Sequence, residues 1–221
     1  MSAPHIVTLD GPAGVGKTTL AKRVADALGL AYLDTGAMFL ATALALGEGA
    51  AALPEAEIQA RLQALKFTLS GAGSASVLSL DSRPIGDEIR TEHVGMMASN
   101  VATLPVVRTF LGNAQRAVGN ATSLVVEGRD MGTVIFPGAQ HKFFLDAAPE
   151  IRAQRRCTQL EEMGKPADRT LITAQIRARD EQDRGRATAP LRPADNAVII
   201  DTGPLSIEGV FEAIMHVVRG S

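Results

Sequence analysis

Cysteine is almost absent from this 221-residue chain, where Cys157 stands alone. That excludes an internal disulfide and a cysteine-based metal cluster, and makes a reducing cytoplasm the expected home. An excess of one charge is also lacking, because 22 basic and 24 acidic side chains leave a net charge of −2. Nothing in that balance argues for nucleic acid or an anionic membrane as a partner, so any polyanion must be recognised locally. Long hydrophobic runs are missing too. The most apolar stretch, residues 37–46, is about half of the roughly 20 residues a membrane span needs and reads as a buried helix. With a first strand expected from Ile6, a secretory leader is not expected. The histidines His5, His93, His141 and His216 show neither ligand nor triad spacing and are given no catalytic or metal role.

What is present begins with Gly11-Pro12-Ala13-Gly14-Val15-Gly16-Lys17-Thr18, which has the spacing GxxxxGK[ST]. Before it, Ile6–Asp10 reads as a buried strand, and after it residues 19–28 read as a helix ending at Gly29. Such a loop offers consecutive backbone N–H groups to a phosphate and aims a helix N-terminus at the same anion. Lys17 is then placed to reach the terminal phosphates, and the Thr18 hydroxyl is the expected Mg²⁺ ligand. The triphosphate contacts expected are Gly11, Pro12, Ala13, Gly14, Val15, Gly16, Lys17, Thr18 and Thr19.

Length suits one α/β domain with insertions. Strands are expected at Ile6–Asp10, Ala31–Asp34, 123–127, 142–146 and 197–201, with helical stretches between them, which implies right-handed βαβ units and a covered parallel sheet. Ligands of such sheets lie at the carboxyl ends of strands, where Asp10, Asp34, Asp146 and Glu127-Gly128-Arg129-Asp130 fall. The stretch from Thr35 to Ser123 exceeds one crossover helix. Within it, 66–70, 71–74 and 75–80 read as a β-hairpin, followed by 87–102 and a helix over 105–118 begun by Pro105.

A second insertion carries nine of the seventeen arginines, between Arg152 and Arg192. Pro149 opens one helix that ends near Gly164, and Thr170 is expected to cap another running to about Arg184. In that second helix the apolar stripe of Ile172 and Ile176 continues as Arg179, Asp183 and Arg186. Two readings stay open: a helix leaning over a polyanion, or a solvated helix laced by the pairs Arg177 with Glu181 and Asp180 with Arg184.

A phosphate cradle with an arginine-rich insertion points to phosphoryl transfer between two bound molecules, since the transferring group needs surrounding positive charge more than a general base. A regulatory GTPase would call for an NKxD segment after a strand, and neither 142–146 nor 197–201 offers one. The chain resembles the bacterial cytidylate kinases from Ile6 to about Val218. The resemblance rests on the P-loop, on Leu33-Asp34-Thr35-Gly36-Ala37, on Glu88-Ile89-Arg90-Thr91, on Glu127-Gly128-Arg129-Asp130-Met131-Gly132-Thr133-Val134-Ile135-Phe136-Pro137, and on Arg179-Asp180-Glu181-Gln182-Asp183-Arg184-Gly185-Arg186 with Ala187-Thr188-Ala189-Pro190.

This resemblance implies a three-layer α/β P-loop NTPase fold with a five-stranded parallel sheet. It also implies a nucleoside-monophosphate insertion holding a small antiparallel β element, and a short helical lid. The expected division is core 1–36, insertion 37–102, core 103–150, lid 151–188 and core 189–221. It further implies transfer from ATP with Mg²⁺ to CMP or dCMP in pyrimidine nucleotide metabolism, by a cytoplasmic monomer with small-molecule substrates only. The alternatives are another P-loop kinase, acting on UMP, AMP or a non-nucleotide acceptor, and a regulatory nucleotide-binding module. By matching motif position, Ser99, Arg108, Asp130 and Arg186 look like the cytosine-end contacts, with Asp130 suited to accept from the cytosine amino group. Thr35, Arg129, Arg179 and Asp183 look like acceptor phosphate and sugar contacts, while Lys17, Arg129, Arg155, Arg156 and Arg179 look like the clamp on the transferring group. One residue departs from the pattern: Leu40 stands where the resemblance leads one to expect an acceptor-phosphate arginine. A charge-assisted contact of that kind is worth about 1.5 to 3 kcal/mol, so Leu40→Arg is expected to tighten CMP.

Overall fold

A computed structural model describes residues 4–220. In chain order the elements are β1 (Ile6–Asp10), α1 (Lys17–Leu28), β2 (Ala31–Asp34), α2 (Thr35–Leu46), α3 (Glu55–Gln63), β3 (Phe67–Ser70), β4 (Val77–Leu80), β5 (Arg83–Pro84), α4 (Glu92–Val101), α5 (Pro105–Ala121), β6 (Leu124–Gly128), β7 (His141–Asp146), α6 (Pro149–Glu162), α7 (Arg169–Gly185), β8 (Val198–Asp201) and α8 (Ile207–Arg219). Five strands form one parallel sheet in the order β2-β6-β1-β7-β8, and β3-β4-β5 form a small antiparallel sheet. The expected α/β P-loop fold with its antiparallel element is therefore present.

By compactness the chain divides into two units, Met1–Ile6 with Ala25–Val126, and Val7–Val24 with Glu127–Ser221. In the second unit, β1 is buried at every residue and pairs with β7 in a register that sets Asp10 beside Phe144. Burial on both faces is why the sequence of β1 is a continuous apolar run rather than an alternation. β7 in turn pairs with β8, Asp146 matching Asp201. β8 lies at the end of the sheet order, and its Val198 and Ile199 are exposed. Pro149 sits in the first turn of α6, and the Ser206 hydroxyl caps α8 by accepting from the Gly209 N–H at 3.1 Å.

In the first unit, Asp34 caps α2 by accepting from Ala37 N–H at 2.9 Å, and Thr91 caps α4 by accepting from Val94 N–H at 3.2 Å. The hairpin is tied down at its turn, where Asp26 accepts from Ser74 N–H at 2.6 Å and Ser76 Oγ accepts from Tyr32 N–H at 2.8 Å. A small apolar cluster of Ala37, Ala41, Ile89 and Val94 is covered by Leu40, Phe67, Leu78, Leu80 and Ile85.

Several local expectations need correction. Helix α1 starts at Lys17, two residues before the expected Thr19. Asp168 rather than Thr170 caps α7, its carboxylate accepting from the N–H groups of Thr170 and Leu171; a charged acceptor also suits the positive helix end better than a hydroxyl. Neither intrahelical pair drawn on α7 forms. Arg177 turns to Glu150, Asp180 to Arg152 and Arg184 to Asp146. Helix α3, absent from the sequence reading, packs Ile58 and Leu62 inward one turn apart.

Candidate active site

The donor cradle is built by backbone strain that only glycine tolerates. Gly11 adopts φ +148°, and a Cβ there would lie 2.1 Å from the Leu145 carbonyl oxygen. Gly14 adopts φ +83°, and its Cβ would lie 3.3 Å from Arg152 Cβ. The loop thus presses against β7 on one side and α6 on the other. Lys17, at the start of α1, curls back so that its ammonium donates to the carbonyls of Gly11 at 2.9 Å and Pro12 at 2.7 Å.

Lys17 is buried, and its pKa is lowered from 10.5 to about 7. Desolvation is the main cause; the positive charges of Arg129 and Arg179 add to it, while Glu127 and Asp10 oppose it. Desolvation followed by the neighbouring Arg129 also pushes Arg179 below its ordinary value. Three cations, Lys17, Arg129 and Arg179, therefore share one region of the second unit and repel one another. An anion arriving beside them would relieve that repulsion.

Carboxylates hold this cluster in place. Asp183 on α7 takes Arg129 Nε on one oxygen and Arg186 Nη2 on the other, each at 2.9 Å. Asp10, at the end of β1, accepts from Met131 N–H at 2.9 Å and Gly132 N–H at 2.7 Å. It thereby fixes the wide helical turn Met131–Ile135 that follows the buried Asp130. Burial, and to a lesser degree the Asp130 carboxylate, raises Asp10 from 3.8 to about 6, against the two backbone donors that lower it. Asp10 was read from the sequence as a strand end only.

Beside the cradle lies a cavity of about 630 Å³, walled by Gly14 to Leu20, by Arg152, Arg155, Arg156 and Gln159 of α6, and by Thr202, Leu205 and Ile207 before and within α8. The exposed Thr18 and Thr19 face it from the first turn of α1. Arg155 donates to Thr202 Oγ1 at 3.1 Å and to Thr202 O at 2.5 Å, and Arg156 donates to Gln159 Oε1 at 2.7 Å. These two arginines line the cavity, whereas the arginine charges felt by Lys17 are those of Arg129 and Arg179. Among the described residues no group of three or more His, Cys, Asp or Glu side chains could hold a metal by itself. Nor is any single helix among them long and apolar enough to cross a membrane.

In the first unit, Thr35 is buried in the first turn of α2, with Asp34 rather than Thr35 as the cap. Ser99 is half-buried inside α4, so it is no cap either. Arg108, in the first turn of α5, holds its guanidinium 5.8 Å from the centre of the Phe39 ring. Arg90 Nη2 meets Asp34 Oδ2 at 3.2 Å. Leu40 faces the apolar cluster instead of standing free at the place expected for an arginine.

Residues 7–220 match the family model described as cytidylate kinase. The chain belongs to the cytidylate kinase family. It is 64% identical over 218 residues to the cytidylate kinase of Nitratidesulfovibrio vulgaris strain Hildenborough, covering 99% of this chain and 94% of that one. To the cytidylate kinase of Oleidesulfovibrio alaskensis it is 61% identical over 215 residues, covering 97% and 98%. The crystal structure of shikimate kinase from Bacteroides thetaiotaomicron shares the fold at TM-score 0.50 and 14% identity, over 97% of this chain and 98% of that one.

Proposed function

We propose that this chain transfers the terminal phosphoryl group of ATP to CMP and dCMP, giving ADP and CDP or dCDP. The observation that carries the chemistry is the convergence of Lys17, Arg129 and Arg179, with the ammonium of Lys17 desolvated to a pKa of about 7. A cluster so arranged neutralises charge on the equatorial oxygens of a transferring phosphoryl group and needs no proton acceptor. The acceptor phosphate is already an anion at neutral pH, so no base is assigned and the histidines stay outside the mechanism.

The residues from Gly11 to Thr19 hold the triphosphate, and Arg155, Arg156, Leu205 and Ile207 bound the cavity that takes the rest of the donor. Mg²⁺ bound with ATP would neutralise phosphate charge. Thr18 fits that ion: its hydroxyl is a hard oxygen donor exposed on the cavity wall, and Mg²⁺ commonly takes its remaining ligands from phosphates and water. Asp130 is assigned to the cytosine amino group, Ser99, Arg108 and Arg186 to the cytosine end of the acceptor pocket, and Thr35, Arg129, Arg179 and Asp183 to the acceptor phosphate and sugar. The family resemblance supports these assignments, a monomeric state and a cytoplasmic location. The lid is assigned to 151–188 and the acceptor insertion to 37–102.

The test is to incubate the protein with ATP, Mg²⁺ and each nucleoside monophosphate in turn, following ADP release. Fast release with CMP and dCMP alone is expected. Fast release with UMP or AMP, or slow hydrolysis indifferent to the acceptor, would overturn this reading.

Leu40 gives a second check. Its packing on Ala37, Ala41, Ile89 and Val94 means that an arginine there must lay its stem over the cluster and carry its head to solvent. Leu40→Arg is expected to lower the CMP dissociation constant by about tenfold while lowering stability by about 1 to 2 kcal/mol. Calorimetric titration and urea denaturation read the two effects separately, and unchanged or weaker CMP binding counts against the assignment.

A further inference from the structure

Among the described residues Arg152 is the largest fully buried side chain, 1% exposed. A guanidinium is charged at every physiological pH, so burial demands a full set of acceptors and a counter-charge. Arg152 Nε donates to the carbonyl of Ala147 at 2.9 Å. Its Nη1 donates to the carbonyl of Ala13 at 3.1 Å and to Asp180 Oδ1 at 3.0 Å, and its Nη2 donates to Asp180 Oδ2. The only anion among these four acceptors is Asp180, on α7.

Three elements therefore meet at one side chain. Ala13 lies inside the phosphate loop, and Gly14 beside it backs onto Arg152 Cβ. Ala147 follows β7. Asp180 belongs to a helix of 17 residues with no buried side chain. Apolar burial cannot be what fixes such a helix; of its other cross-element pairs, Arg177–Glu150 and Arg184–Asp146 are widely exposed and correspondingly weak, and Arg129–Asp183 is the one that is also sheltered. Asp180 directly follows Arg179 and precedes Asp183 by three residues. Where Asp180 is held, the helix positions of both are held too.

We propose that Arg152 is a positioning residue that joins the phosphate loop to helix α7, through Ala13 and Asp180, so that Arg179 and Asp183 are held in place for transfer. Asp180 is its counterpart; Arg152 also edges the donor cavity, but its guanidinium is turned to Ala13, Ala147 and Asp180. Removing the carboxylate leaves a buried cation without a counter-charge and takes away one of the two sheltered attachments of α7, while the glycines of the cradle are unchanged. The inference rests on the reading of the chain as a phosphoryl-transfer enzyme, which the wild-type assay decides on its own.

The test compares wild type, Asp180→Asn, Arg152→Lys and the double variant in kcat with CMP, in ATP dissociation constant by titration, and in amide exchange across α7. Asp180→Asn keeps the shape and the acceptor oxygen of the side chain and so carries the test if Arg152→Lys does not fold. The expected result is a kcat lowered at least tenfold, an ATP dissociation constant within threefold of wild type, faster exchange in α7 than in α8, and a double variant no worse than the worse single one. Asp180→Asn with kcat within twofold of wild type, ATP affinity falling in step with kcat, or losses that multiply in the double variant would overturn it. If wild type lacks CMP kinase activity, the functional reading fails separately, and α7 exchange unchanged in Asp180→Asn still overturns the link.

Discussion

Lys17→Ala is expected to lower kcat for CMP phosphorylation by about a thousandfold or more, while CMP binding measured without ATP stays within about threefold. The ammonium of Lys17 is held by two loop carbonyls at 2.9 and 2.7 Å and is buried among other cations. Its partner in catalysis is therefore charge that arrives with the triphosphate and grows during transfer. A variant with wild-type kcat would show that the cradle works without it.

The same residue sets a pH dependence. In the ligand-free protein Lys17 titrates at about 7 rather than 10.5. ATP adds negative charge and favours the protonated form, so binding takes up a proton, and affinity is expected to fall by up to about tenfold per pH unit from 7 upward. Lys17→Ala should flatten that slope. The sign for folding follows from the same shift. The native state binds fewer protons than the unfolded chain between about 7 and 10.5, so the Lys17 penalty is complete below 7 and disappears as pH rises through that window. Asp10, raised from 3.8 to about 6, works oppositely: its penalty develops as pH rises from 3.8 and is complete above 6. Near neutrality both unfavourable charges are present.

Gly11→Ala is the substitution expected to damage the fold most for its size. The methyl group would sit 2.1 Å from the Leu145 carbonyl oxygen at a φ of +148°, where neither β1 nor β7 can yield, since both are paired and buried. A loss of at least about 3 kcal/mol is expected in urea denaturation. Gly29→Ala is the matched control, with φ +64° but nothing within 4 Å of its Cβ, and should lose about 1 kcal/mol. Equal losses at the two positions would mean that dihedral strain alone, and not contact with β7, constrains the loop.

These contrasts also explain what could be read before the structure. β1, β2 and the cradle were legible because each is specified by consecutive residues: a run of apolar side chains, then glycines at fixed spacing. Helix α7 was legible as a helix but not in its partners. The pairs Arg177 with Glu181 and Asp180 with Arg184 are reasonable on an isolated helix, yet Arg177 and Asp180 found a charge on α6 and Arg184 one at the end of β7. Tertiary pairing outweighed local pairing, and spacing carries no information about that. Arg152 was equally opaque. It shares a helical side with Arg155 and Arg156, and nothing in its neighbours along the chain marks it for burial. Leu40 looked like a missing charge because motif position says what is expected there, whereas its packing is set by Ile89, Val94 and strands far along the chain.

The bareness of α7 also determines how the segment answers to ionic strength. Its two outer ion pairs lie in water, where salt at 0.15 M screens charges beyond roughly 8 Å, but the Arg152–Asp180 pair, with side chains 1% and 13% exposed, is sheltered from that screening. Added salt therefore weakens the outer attachments first and leaves the helix held by two sheltered pairs close to Arg179, Arg152–Asp180 and Arg129–Asp183. Through that order of release, the electrolyte around the protein sets how many of the attachments of its arginine-bearing helix hold.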